Sequence, residues 1–212
     1  MIDLFTPDDE KTLSYLRGRL DGAGFNQSQA ALAFALAAHE GQTRKNGRPY
    51  VMHPVEMACD AIAHKGATDE MIATILLHDV YEETGHATRK SLLPTLPVNS
   101  IVKHAVELMT IRPFDGETKP ETKRRYFNEL LDSKEAVVCK GFDRIANLND
   151  AEGALSEEAI VKNIRETHEL LMPVLKEAKY AYPELSDMLH IIRTSLKRTT
   201  KMMAKYHNVE LK

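Results

Sequence analysis

Cysteine is scarce in this chain. Only Cys59 and Cys139 occur, each inside an apolar run. That excludes a disulfide framework and a thiolate zinc pair, and it suits two reduced, packed thiols. A surplus of positive charge is also missing. Lysine and arginine number 28 against 31 acidic residues, for a net charge of −3 and a pI near 6.3. No global attraction for nucleic acid or an anionic membrane follows, so neither is expected as a partner, and any anionic ligand needs a local basic cluster. No stretch approaches the roughly 20 apolar residues of a membrane span, and the opening MIDLFTPDDEK has no basic region leading into an apolar one, so a cytoplasmic protein is expected. Repeats, low-complexity segments and useful lengths of strand-like alternation are absent as well. What remains is a chain of 212 residues, 43% hydrophobic and 28% charged, in the range of one globular domain spanning 1–212.

Helix signals punctuate that domain. Thr6 and Pro7 read as an N-cap and a first helical residue, with Leu13, Leu16 and Leu20 as the stripe that follows. An alanine- and leucine-rich helix runs from Ser28 to about Glu40. A helix is expected from His53-Pro54 to Gly66, another from Thr68, and a further one from Ser100 to Met109. Residues 112–120 read as a long loop, followed by a helix to about Leu131. Helices then follow over Lys134–Asp150, after Ser156, and from Pro183, with Pro173 kinking the second or starting its successor. The expectation is an all-α bundle of about ten helices.

The stretch Ile72–Thr84, IATILLHDVYEET, opens as a buried-looking helix and then presents His78, Asp79, Glu82 and Glu83 within two turns. A carboxylate at the end of an apolar segment needs an ion pair, a shifted pKa or a metal, and histidine beside aspartate favours the metal. Two other places carry chemistry. The loop His39–Pro54 concentrates Arg44, Lys45 and Arg48 beside Tyr50, offering donors for phosphate oxygens and planar groups for a base, although a solvated surface loop has the same composition. Lys140, Asp143 and Asn147 share a face opposite the apolar stripe of Val138, Phe142 and Ile145, so they meet in a cleft or lie on an exposed polar side.

In order, these pieces read H-x-G-Q-x-R-K-x-G-x-P-Y-x-x-H-P over 39–54, L-L-H-D-V-x-E-E-T over 76–84, and K-x-x-D-R-x-x-N over 140–147. The series resembles the hydrolase domain of the Rel/Spo family of alarmone enzymes, a branch of the His-Asp phosphohydrolase superfamily, in the form of a stand-alone small alarmone hydrolase. The resemblance implies an HD-type helical bundle and an enzyme that removes the 3′-diphosphate of guanosine tetra- or pentaphosphate, giving pyrophosphate and GDP or GTP. It implies Mn²⁺ held by His53, His78, Asp79 and Asp143, with Glu82 as the carboxylate that handles the attacking water and Glu83 as its neighbour. It further implies Arg44, Lys45 and Asn147 as nucleotide contacts, to which the residues add Tyr50 and Lys140. Two imidazoles and two carboxylates without thiolate suit such a borderline-to-hard ion.

Four positions depart from the family pattern. Glu83 replaces the family's aspartate, Ala146 replaces a histidine before Asn147, and Gly141-Phe142 replaces Leu-Ala. None is a metal ligand, so the departures bear on substrate choice. Two other readings stand beside the first. One is the same chemistry on an adenosine alarmone or NADPH, and the other is a noncatalytic nucleotide sensor or antitoxin-like partner.

Overall fold

The structure, a computed structural model, describes residues 5–45, 47–83 and 93–211, apart from the side chains of Glu82, Glu83 and Leu93. The described residues form helices joined by loops and contain no strand, as expected; an isolated antiparallel bridge joins Thr43 to Pro49. None of their helices is long and apolar enough to cross a membrane. The chain packs as two compact units, residues 1–110 and 111–212.

The first unit holds α1 (Pro7–Ala23), α2 (Asn26–Ala38), α3 (Met52–Ile62), α4 (Asp69–Leu77), the single turn α5 (Val80–Glu83) and α6 (Ser100–Leu108). Its centre is α4, which packs on α2, α3 and α6 and has Ile72, Ala73, Ile75, Leu76 and Leu77 with no exposed surface. Burying each of the larger side chains stabilises the unit by about 1.5–3 kcal/mol. Thr68 caps α4 as its sequence predicts, accepting from the Met71 amide. Asp69 does something local reading does not show. Its carboxylate leaves its own helix and accepts from the Gln27 and Ser28 amides at the start of α2, at 2.9 and 2.7 Å, and from the Ser28 hydroxyl. One aspartate thus satisfies the orphan donors of a neighbouring helix.

Thr6 and Pro7 open α1 as expected, and Asp9 completes a capping box with Thr6. α3 begins at Met52, two residues before Pro54, so His53 lies inside the first turn. The expected continuous His-Asp helix is interrupted. α4 ends at Leu77, and His78 and Asp79 form a turn before α5. The polar break expected from Gly85 falls partly on residues outside those described.

The second unit holds α7 (Lys119–Glu129), α8 (Lys134–Asn149), α9 (Glu157–Glu166), α10 (Met172–Ala181) and α11 (Ser186–Tyr206). The loop before α7 is shorter than expected, because Thr118 and Glu121 form a capping box that takes Pro120 into the first turn. The signal, T-x-x-E with a proline between, was present in the sequence. Ser133 and Ser156 cap α8 and α9. Before Pro173 the chain widens into a π-turn over Thr167–Leu171. α8 packs on α11, whose Lys197, Arg198, Lys201 and Lys205 are exposed, as expected of a solvated face.

Gly141 lies where these two helices approach. A Cβ there would sit 2.6 Å from Ile192 Cγ2, too close for the branched side chain to escape by a change at its tip. Gly141→Ala is therefore expected to lose stability. Overpacking costs about 1–3 kcal/mol, while the gain in helix propensity is about 1 kcal/mol. In an Ile192→Ala background the same change should become stabilising. Urea unfolding of the single and double variants measures both.

Candidate metal centre

In the first unit, a rigid platform carries the imidazoles. The His78 ring Nδ1 lies 2.7 Å from the Ile75 carbonyl, and since the carbonyl only accepts, Nδ1 must donate. That bond leaves the electron pair of the neutral ring on Nε2. Nε2 in turn faces Asp79 Oδ1 at 3.1 Å. Two electron pairs directed at one another over that distance call for a cation between or beside them. His53, from the first turn of α3, has its ring centroid 5.6 Å from that of His78 and its Nε2 3.8 Å from Asp79 Oδ2. Both rings are buried, and the Asp79 side chain is 17% exposed, so the carboxylate is the opening of the group toward solvent.

The donor set fits a divalent ion. It offers imidazole nitrogen and carboxylate oxygen, while both cysteines are free and neither belongs to the cluster. Burial pushes the Cys59 thiol up to about 12, aided by Asp60 and Glu56, so it is inert at neutral pH.

The loop between α2 and α3 is a small hairpin. The Arg44 amide donates to the Arg48 carbonyl at 2.8 Å, and Gly47, at φ +82°, supplies the left-handed residue the turn requires. Its basic residues are not equivalent. Arg48, grouped by sequence with Arg44 and Lys45, is committed to structure: it donates to Asp9 at the start of α1 and to Glu56 on α3. Those bonds raise its pKa above the ordinary arginine value. Lys45 is exposed, and Arg44 donates to His53 Nδ1 at 3.2 Å. The His53 ring can offer Nε2 to an ion only with its proton on Nδ1, and Arg44 must then find another acceptor.

Tyr50, expected to meet a nucleotide, donates its hydroxyl to Asp79 Oδ2 at 2.8 Å. The side chains of Glu82 and Glu83 lie outside those described.

In the second unit, Lys140, Asp143 and Asn147 do share a face, and they bond to one another. Lys140 Nζ donates to Asp143 Oδ2 at 2.8 Å and Asn147 Nδ2 to Oδ1 at 2.6 Å, so both carboxylate oxygens are gripped from the same helix. Burial would pull the Lys140 ammonium down, but the Asp143 charge outweighs it and holds the pKa above its usual value; the ammonium also lies over the Tyr126 ring at 5.6 Å. Lys140 and Asn147 therefore position Asp143 before they can meet any ligand. The next residue, Arg144, is buried and donates to Asn163 on α9.

Comparison with known proteins places this arrangement in context. The model of the family described as HD domain matches residues 31–174. The bifunctional (p)ppGpp synthase/hydrolase SpoT of Escherichia coli K12 is 32% identical over 147 residues, covering 68% of this chain and 20% of that protein. A guanosine-3′,5′-bis(diphosphate) 3′-pyrophosphohydrolase of Aquifex aeolicus is 26% identical over 216 residues, covering 94% of this chain and 30% of its own. A GTP pyrophosphokinase of Streptomyces coelicolor is 25% identical, covering 93% of this chain and 25% of its own. The chain thus spans between a fifth and a third of the length of these relatives.

The Asp9–Arg48 pair anchors the hairpin and makes a pH prediction. Burial pushes the Asp9 carboxyl up, but Arg48 and the Thr6 bonds outweigh it and hold it below the ordinary range. A depressed folded-state pKa contributes stability above the unfolded value and loses it as pH falls through the folded one. Asp9→Asn should therefore lower the melting temperature at pH 7, with the gap to wild type narrowing below about pH 4. Thermal melts across pH 2–7 check this.

Proposed function

The chain belongs to the HD-domain family, and on that premise we propose that it is a metal-dependent 3′-pyrophosphohydrolase of guanosine alarmones. The products are pyrophosphate and GDP or GTP. The observation that carries this reading is the half-site of His53, His78 and Asp79, in which the Ile75 carbonyl commits one imidazole to present Nε2 toward a carboxylate. The relatives from Escherichia coli and Aquifex aeolicus, a (p)ppGpp synthase/hydrolase and a guanosine-3′,5′-bis(diphosphate) 3′-pyrophosphohydrolase, support the substrate. We assign His53, His78, Asp79 and Asp143 as the ligands, Mn²⁺ as the ion, residues 1–212 as one catalytic domain, and the cytoplasm as its location.

When bound, the divalent ion supplies a Lewis acid that makes water acidic near neutral pH and offsets charge on phosphoryl oxygens. The chain's residues do the rest. Glu82, three residues after Asp79, takes the proton of the attacking water, with Glu83 beside it. The bond between phosphorus and the ribose 3′ oxygen breaks, and that oxygen leaves with a proton. Lys140 and Asn147 keep the Asp143 carboxylate oriented and lie next to the nucleotide. Arg44, released from His53, takes a phosphate oxygen as its new acceptor, and exposed Lys45 adds a second positive charge.

The direct test incubates the full chain with Mn²⁺ and guanosine tetraphosphate and identifies the products. Absence of GDP and pyrophosphate ends the reading. Asp79→Ala and His53→Ala should lose bound Mn²⁺ and turnover together. Glu82→Gln should retain the metal while turnover falls about 10²- to 10⁴-fold, because an amide cannot take the proton. Arg44→Ala should raise KM without emptying the metal site, and the rise should shrink with salt, since exposed charges are screened over about 8 Å at physiological ionic strength. Metal content, kcat and KM at two salt concentrations separate these outcomes.

A further inference from the structure

Tyr50 offers two ways of acting. Beside a basic loop, its ring reads as a platform for a purine. Its contacts point elsewhere. The hydroxyl donates to Asp79 Oδ2 at 2.8 Å. One face of the ring stacks on His39, with centroids 4.9 Å apart and planes 27° from parallel, and the ring meets His53 edge-on at 6.4 Å.

His39 is itself fixed. It is 2% exposed, and its Nδ1 lies 2.7 Å from the Gln42 amide oxygen, which accepts, so Nδ1 donates. Gln42 holds the stack from both ends, because its backbone carbonyl also accepts from the Tyr50 amide at 2.9 Å. The Tyr50 carbonyl accepts from the His53 amide at 3.0 Å, which ties the stack to the first turn of α3. His39, Gln42, Tyr50 and Asp79 therefore form a continuous set of contacts within the first unit, running from the end of α2 to the turn after α4.

We propose that Tyr50 is a positioning residue for Asp79, with the His39–Gln42 pair setting the position of Tyr50. The proposal rests on the metal-binding reading above and not on the identity of the nucleotide. A carboxylate that must ligate through a chosen oxygen gains from a neighbour that fixes its rotation, and removing such a neighbour typically weakens metal affinity 10- to 100-fold. Asp79 is the most exposed of the first unit's three candidate ligands, so it has the most rotational freedom to lose.

The experiment measures Mn²⁺ affinity of the full chain by titration calorimetry for wild type, Tyr50→Phe, His39→Ala and the double variant, with nucleotide KM taken at saturating Mn²⁺. Tyr50→Phe keeps the ring and loses only the hydroxyl. It should weaken Mn²⁺ binding about tenfold or more and leave KM at saturating metal close to wild type. His39→Ala should weaken Mn²⁺ binding in the Tyr50 chain and add nothing in the Tyr50→Phe chain, because its influence passes through the hydroxyl. Should His39→Ala fail to fold, His39→Phe keeps a stacked ring and should bind Mn²⁺ nearly as wild type does.

Unchanged Mn²⁺ affinity in Tyr50→Phe would overturn the proposal, and unchanged affinity with a raised KM in that variant would make the Tyr50 hydroxyl a nucleotide contact instead. Wild type that binds no Mn²⁺ would overturn both this inference and the metal assignment. Wild type that binds Mn²⁺ without cleaving guanosine tetraphosphate would end the substrate reading alone and leave the affinity comparison intact.

Discussion

The first unit depends on placing a carboxylate at the end of an apolar helix without leaving it unbalanced. α4 is buried along its length, and isolated charge at such an end costs several kcal/mol after relaxation. The helix stops one residue before His78, and the Ile75 carbonyl in its last turn accepts from the His78 ring. Ending the helix therefore has two effects. It turns Asp79 toward His53 and Tyr50, and it determines which nitrogen of His78 faces the carboxylate.

The second unit handles its buried carboxylate differently. Asp143 stays within a regular helix and is held by side chains three before and four after it, the separations at which helical residues stand side by side. The Lys140 charge compensates Asp143 directly and is itself compensated, so that although burial pulls its pKa down, Asp143 and Tyr126 outweigh burial and hold it above the usual value. One carboxylate is oriented by elements distant in sequence and the other by its own helix. The two demands left different traces in the sequence.

That difference decides what was legible. Thr6, Thr68 and Ser156 cap helices where local reading puts them, because a cap depends on three or four consecutive residues. The shared face of Lys140, Asp143 and Asn147 followed from period alone. Asp69 capping α2, Arg48 pairing with Asp9, and Tyr50 bonding to Asp79 join residues 29 to 42 apart, and no local pattern encodes a partner at that distance. Arg48 illustrates the error this produces. Composition counts it with Arg44 and Lys45 as a phosphate donor, whereas two carboxylates from α1 and α3 had already claimed it. The interruption at His78 was hidden for another reason: neither glycine nor proline marks it, and the bond that accompanies it joins a side chain to the backbone.

The departures from the family pattern separate along the same line. Gly141 faces Ile192 of α11, where a larger residue has no room, so that substitution records the packing of two helices and carries no information about a ligand. Phe142 is buried and packs within the unit. Ala146 differs in kind. It is half-buried and precedes Asn147, whose side-chain amide holds Asp143. Under the proposed function, side chains already bonded to one another serve the carboxylate they orient, so nucleotide preference is expected to act at positions outside those bonds. On α8 that condition excludes Lys140, Gly141 and Asp143, and leaves Ala146 as the departure through which substrate choice is expected to act.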